Sequence, residues 1–309
     1  MSDHLEPLAD LSRRQSAPGS QGNPRDAETR IVNAFSIDVE DYFHVTAFEK
    51  EIDRGSWEHL EHRVEPNTAR LLELLEEFDT TATFFLLGWV AERHPGLVRQ
   101  IRQAGHELAI HGYDHRRITD QTPEEFRQDV RKSKSIVEDI GGVEVIGYRA
   151  PSYSIVRKTI WSLTILAEEG LRYDSSIFPI VHDRYGIPSA PRHPWKVNTT
   201  HEESDAELHE FPISTVRLCG VNLPFVGGGY LRQLPMGVIH WGMRRVNRVE
   251  RQPVVLYVHP WELDPDQPRQ TTTRLTRFRH YRNLDQTRSR LASLLGEYEF
   301  DSVRRVLGM

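Results

Sequence analysis

The stretch FSIDVEDYFHV, residues 35–45, sets three carboxylates, Asp38, Glu40 and Asp41, at the end of an apolar run. Phe35, Ile37 and Val39 alternate with Ser36 and Asp38, the period of a strand. Acids crowded in this way repel one another. The cost is tolerable where a cation sits among them, or where one of them is a catalytic base. A second group, HGYDH at 111–115, spaces His111 and His115 four apart, so that on one helical turn both can point at one ion. With a carboxylate from the first group they would make a two-His, one-carboxylate set, leaving positions open for water and substrate. In a chain with 15 His such a spacing also arises by chance, so the pair gains its weight from company.

That company lies at the ends of other strand-like segments: Arg149 and then Pro151, Asp174, and His259 followed by Trp261 and Glu262. Singly, each has an ordinary reading. Asp38 could cap a loop, Arg149 could be an ion-pair partner, Asp174 could begin a turn, and His259 could be a core histidine. Together they would surround one mouth, because parallel α/β architectures bind ligands at the carboxyl ends of their strands.

The elements that must position these residues can be read from periodicity. A strand is expected at 31–39, a helix at 65–78 with Asn67 or Thr68 as its cap, a strand at 81–88, a helix at 94–105 and a strand at 106–112. The rhythm repeats with a helix at 122–142, a strand at 145–151, a helix at 157–170 and a strand at 171–179. Such alternation means a parallel sheet, open or closed into a barrel. Residues 180–235 are rich in Pro and Gly, and FVGGGYLRQLP, 225–235, reads as loop. Its GGGY is weak as a phosphate cradle, since no GK[ST] follows. A helix at 234–250, a buried strand at 253–262 and further helix over 271–300 complete the chain. Residues 1–30 are polar and read as a disordered leader.

Composition narrows the classes. The chain has 309 residues, enough for one large α/β domain or two smaller ones, with 38% hydrophobic and 27% charged residues. A net charge of −6 argues against a nucleic-acid partner. The single cysteine, Cys219, excludes an internal disulfide and a thiolate cage, so any metal must rest on His and carboxylate. No apolar run is long enough for a transmembrane segment, and no apolar signal region opens the sequence; a cytoplasmic protein is the expectation.

Taken in chain order, SIDVED, HGYDH, RAP, YDSSIFP and YVHP resemble the motifs of the NodB-like polysaccharide deacetylases, with ATFFLLG and GHELAIHG also matching. The resemblance spans roughly 31–265. It is closer, through DVEDYF, GGGY, HPWELDPDQPR and FRHYRNLDQT, to the subgroup associated with exosortase and exopolysaccharide loci. That subgroup carries an extra C-terminal segment, here about 220–309. The resemblance implies an α/β fold, a deformed (β/α) barrel with a C-terminal extension. It also implies a metal-dependent removal of N-acetyl groups from amino sugars of a polysaccharide or its precursor, in exopolysaccharide biosynthesis.

By the same resemblance Asp38 is the base, His111 and His115 bind a divalent metal, and His259 is the acid. Arg149 orients Asp38, and Asp174 is the acidic neighbour of His259. The family pattern has two adjacent Asp in its first motif. Here Val39 follows Asp38, so the metal carboxylate is Glu40, which shares the face of Asp38 on a continuing strand, or Asp41 if the chain turns. The amide of Tyr42 or Phe43 would face the oxyanion. Tyr42, Pro151, Tyr153, Tyr230 and Trp261 are the candidates for sugar contact. Zinc suits the donor set best, and Co, Ni or Fe would also fit. The partner implied is an N-acetylated glycan, with transient contact to a membrane-bound polysaccharide assembly system. Two other readings are a C–N hydrolase of a small cyclic amide or ureide, and a non-catalytic glycan-binding protein on the same barrel.

Overall fold

The computed structural model describes residues 31–198 and 207–309, so the leader expected at 1–30 lies outside the described residues. Its first strand β1 (Asn33–Val39) is buried on both faces. Successive side chains of a strand point to opposite sides. Phe35, Ile37 and Val39 therefore pack outwards in the larger apolar cluster with the helices, while Ala34 belongs to a smaller inner cluster. Ser36 and Asp38 share that inner side, where Arg149 reaches both of them.

The remaining strands are β2 (Thr83–Leu86), β3 (Glu107–Ile110), β4 (Gly147–Tyr148), β5 (Tyr173–Asp174), β6 (Trp195–Val197), β7 (Leu208–Glu210), β8 (Thr215–Leu218), β9 (Val221–Pro224), β10 (Val255–Val258) and β11 (Phe300–Asp301). The main sheet runs β10-β1-β2-β3-β4-β5-β7-β6 and is parallel except for the β6–β7 pair. It forms a curled half-barrel, and β8 and β9 make a separate hairpin. Helices α1 (Val64–Glu77), α2 (Gly88–Arg93), α3 (Pro95–Gln103), α4 (Pro123–Gly141) and α5 (Ser162–Glu168) alternate with the first strands. α4 shows the sequence logic plainly. Thr122 and Glu125 cap its start reciprocally, Pro123 opens it, and Gly142 ends it in the left-handed region.

Register places the chemistry. Val39 pairs with Leu86, Leu86 with Ile110, Ile110 with Tyr148, and Tyr148 with Asp174. The residues that follow these partners, Glu40, His111, Arg149 and Ser175, therefore leave the sheet at one level. On the other flank Ile37 pairs with Val258, which brings His259 to the same rim.

Three expectations are corrected. Residues 225–235 are not all loop: α6 (Gly228–Gln233) lies within them, its turn built on Gly227 (φ 89°) and Gly228 (φ 46°). The glycines answer to packing, because a Cβ on Gly227 would sit 2.3 Å from the Tyr257 ring. The helix expected at 234–250 is α7 (Met236–Arg244), continued by a wider π-turn over Arg245–Val249. The C-terminal region is not helix alone. After α8 (Arg274–Tyr281) and α9 (Thr287–Glu297), β11 pairs in parallel with the start of β1, and α10 (Val303–Val306) follows. A two-residue strand is too short for a periodic signal. Among the described residues no helix is long and apolar enough to cross a membrane.

Gly227→Ala should lower stability by about 1–3 kcal/mol, because the ring of Tyr257 must move. Gly96→Ala, where nothing lies within 4 Å, should not. Urea midpoints at unchanged slope test the pair.

Candidate active site

Arg149 follows β4 and is completely buried. Its Nη1 donates to Asp38 Oδ1 at 2.7 Å and to Ser36 Oγ at 2.9 Å. Nε and Nη2 donate to the carbonyl and hydroxyl of Ser175, each at 2.9 Å. The guanidinium also lies 4.2 Å over the Phe85 ring. A planar fork held on every side fixes the carboxylate it binds. Asp38 Oδ2 is left 3.9 Å from His259 Nε2.

Glu40, His111 and His115, all buried, offer ligand atoms that lie within 4.8 Å of one another. The Nδ1 of His111 meets the Arg149 carbonyl at 2.8 Å. A carbonyl only accepts, so Nδ1 carries the proton and Nε2 keeps its lone pair, as in a metal ligand held by an outer partner. Burial holds His111 down at about 4, Asp38 opposing, and holds His115 well below the usual imidazole range. Both rings are neutral at ordinary pH. Glu40 is pushed up to about 7 by burial, against the pull of His259 and with Asp38 adding to the rise. Its Oε2 stands 3.1 Å from His115 Nε2 yet accepts no hydrogen bond. Two neutral imidazoles beside a buried carboxylate oxygen without a donor fit a divalent cation. The two His do not share a helical turn, as their spacing suggested. Residues 111–117 form a loop, bent by Gly112 (φ 72°) and His115 (φ 56°).

His259, after β10, faces this group. Its Nε2 is 3.5 Å from Glu40 Oε1, and its Nδ1 is 2.7 Å from Glu262 Oε1. Burial works against its charged form. The Glu262 hydrogen bond and the carboxylates of Glu40, Glu262 and Asp38 outweigh burial and raise it to about 9. Burial likewise opposes the charge on Glu262, but Arg232 and His259 bring Glu262 down to about 2. Arg232, on α6, donates Nε to Glu262 Oε2 at 2.6 Å, and its Nη1 is locked by the carbonyls of His280 and Arg282. Trp261 stacks on His259 at 5.1 Å and on His280 at 4.3 Å, and its indole N–H reaches Glu40 at 3.3 Å.

Several assignments change. The acidic neighbour of His259 is Glu262, not Asp174. Asp174 accepts from the Ser176 hydroxyl, which in turn accepts from the Ala150 amide, so it anchors the turn after Arg149. Asp174 also lies beside Glu210, whose carboxyl burial and Asp174 raise well above the usual range. Asp41 stands outside the candidate ligand group. It accepts from the amides of Tyr42 (2.9 Å), Arg63 (2.6 Å) and Val64 (2.9 Å), capping the turn after β1 and the start of α1. The Tyr42 amide is thereby used and does not face an oxyanion.

A cavity of ≈180 Å³ opens over the site, lined by Asp38, Glu40, His111, His115 and His259 together with Tyr153 and Trp261. Tyr42, Pro151 and Tyr230 are not among its lining residues; Pro151 instead packs on Gly112. Tyr185, Arg117 and Arg184 also line it and were missed in the sequence. Arg232 was missed because its segment read as loop. The His-x-x-Glu spacing of His259 and Glu262 was the signal available for the acidic partner. Ser152 and Tyr153 adopt left-handed backbone in succession (φ 55° and 53°), a strain that turns Tyr153 into the mouth. A larger cavity, ≈580 Å³, lies between residues 179–193 and the β8–β9 hairpin and holds no carboxylate.

Residues 52–173 match the polysaccharide deacetylase family, and residues 175–308 match a domain of unknown function, DUF3473. The chain thus carries a polysaccharide deacetylase domain. The first match includes His111, His115 and Arg149; Asp38 and Glu40 precede it, and His259 falls in the second. The peptidoglycan deacetylase-like protein FGM2 of Gibberella zeae is 32% identical over 110 residues, covering 35% of this chain and 32% of that protein. A peptidoglycan-N-acetylglucosamine deacetylase of Bacillus cereus is 30% identical over 93 residues, covering 30% of this chain and 34% of that protein. The chain thus spans about a third of the length of these relatives, 32% and 34%. A Mycobacterium smegmatis structure assigned to the polysaccharide deacetylases superposes with a TM-score of 0.57 at 21% identity, over 95% of this chain and 94% of that one. The fold is that of the polysaccharide deacetylases, a deformed (β/α) barrel.

Arg232→Met would leave Glu262 buried with His259 as its one remaining cation and Oε2 without a donor. Stability should fall by about 3–5 kcal/mol, measured by urea unfolding.

Proposed function

We propose that this protein is a metal-dependent hydrolase that removes N-acetyl groups from amino sugars of a polysaccharide or its precursor, in exopolysaccharide biosynthesis. One observation carries the reading. A cation-ready group of Glu40, His111 and His115 lies in the same cavity as a fixed carboxylate, Asp38, and a histidine with a raised pKa, His259.

Glu40, His111 and His115 would hold the cation, with zinc the best match to the donors and Co, Ni or Fe possible. When bound, a divalent cation supplies Lewis acidity, which polarises an amide carbonyl and makes water more acidic. Asp38 takes the proton of the attacking water at Oδ2, since Arg149 occupies Oδ1. His259 delivers a proton from Nε2 to the departing amine, and Glu262 holds the opposite nitrogen so that Nε2 stays aimed at the site. One C–N bond breaks and one C–O bond forms, giving acetate and a free amino sugar. Tyr153, Tyr185 and Trp261 offer faces on which a sugar ring can lie.

A second reading is favoured by the size of the cavity. At ≈180 Å³ it is small for a sugar chain lying inside it, and would suit a small cyclic amide or ureide. A glycan requires only that its acetamido group enter.

Acetate release from N-acetylglucosamine oligomers, set beside hydrolysis of small cyclic amides, separates the two readings. Activity on the oligomers should vanish on chelation and return with zinc, with metal content following the same course. Release that continues unchanged in metal-free protein overturns the reading. Asp38→Asn should lower kcat by about 10²–10⁴-fold while the metal is retained. Sugar binding left intact by the substitution, with no acetate release from either form, would favour a glycan-binding role.

A further inference from the structure

Residues 267–284 contain five arginines, Arg269, Arg274, Arg277, Arg279 and Arg282, and no acid, in a chain whose net charge is −6. All five are exposed, and among the described residues none forms an ion pair. Several surface arginines elsewhere are paired, Arg131 with Glu169 at 2.7 Å, Arg117 with Asp120 at 3.0 Å and Arg288 with Glu77 at 2.7 Å, whereas no other stretch of this length gathers five without a partner among the described residues. The same segment forms α8, which leaves Leu275 58% and Phe278 51% exposed. At 3.6 residues per turn these two lie about 60° apart on one side of the helix, with Arg274 and Arg279 flanking them. The opposite side is buried: His280 stacks on Trp261, which lines the cavity, and Tyr281 stacks on Phe48.

We propose that the outer face of α8 is a docking surface for an anionic lipid membrane, set one stacked ring away from the mouth of the site. An apolar strip edged with unpaired cations is what an interfacial helix presents to headgroups and the acyl boundary beneath them. A free acidic glycan would satisfy the arginines but leave Leu275 and Phe278 in water, so the apolar pair selects lipid. Docking there would hold the cavity close to the membrane, where a lipid-carried substrate would be met. The surface needs no substrate for its test, so it stands or falls separately from the deacetylase reading.

The test is sedimentation of the full chain with phosphatidylcholine vesicles, with and without phosphatidylglycerol. The protein should pellet with the anionic vesicles, remain free of the neutral ones, and be released by raised salt. Arg274→Gln with Arg279→Gln should weaken binding by at least about tenfold. Leu275→Ser with Phe278→Ser should weaken it as well, while urea midpoints stay unchanged in both double variants. Three outcomes overturn the proposal: no pelleting with anionic vesicles, equal pelleting of all variants, or capture by soluble polygalacturonate through these arginines without vesicle binding.

Discussion

The site depends on the pairing of buried carboxylates with buried cations. Taking a carboxylate out of water costs several kcal/mol unless a partner and hydrogen bonds replace the solvent. Asp38 has Arg149, and Glu262 has Arg232 with His259. Asp41 has three backbone amides, and Asp174 lies against Glu210 in a pair whose pKa values are both raised. Glu40 has no arginine and keeps one oxygen without a donor, as Asp174 and Glu210 do, but its ligand atom lies within 4.8 Å of those of His111 and His115. Its carboxylate faces His111 and His115, whose burial keeps them neutral and able to donate lone pairs.

The same pairing ties the two halves of the chain together. Arg149 comes from the region that matches the polysaccharide deacetylases, whereas Arg232, Glu262 and His259 come from the region that matches DUF3473. Arg232 is held by carbonyls at the end of α8 and just beyond it, and Trp261 lies between His259 and His280. The C-terminal region thus forms one wall of the candidate site, and α8 reaches His259 through two stacked rings, His280 and Trp261.

Much of this was legible from residue types. The period-two run at 35–39, the helices with their caps, and the polar residues at strand ends led to a parallel α/β architecture with one mouth. Glu40 fitted its place because side chains two apart on a strand share a face. The failures have physical causes as particular. His111 and His115 converge through left-handed backbone, a conformation that spacing alone does not reveal. The GGGY segment reads as loop because its glycines resemble breakers, while their cause, the ring of Tyr257, is distant in the chain. Asp174 was matched to His259 by resemblance, yet Glu262, three residues from that histidine, takes the role.

By itself, then, the sequence determined β1 to β5 and β10 and the set of groups capable of chemistry, because hydrophobic period and residue type are local properties; β6 to β9 and β11 are too short for such a period. Only the tertiary structure decided which acid meets which cation. Several carboxylates of similar chemistry compete for the same few partners, and the choice among them is made by register, loop curvature and burial, which depend on residues far apart along the chain.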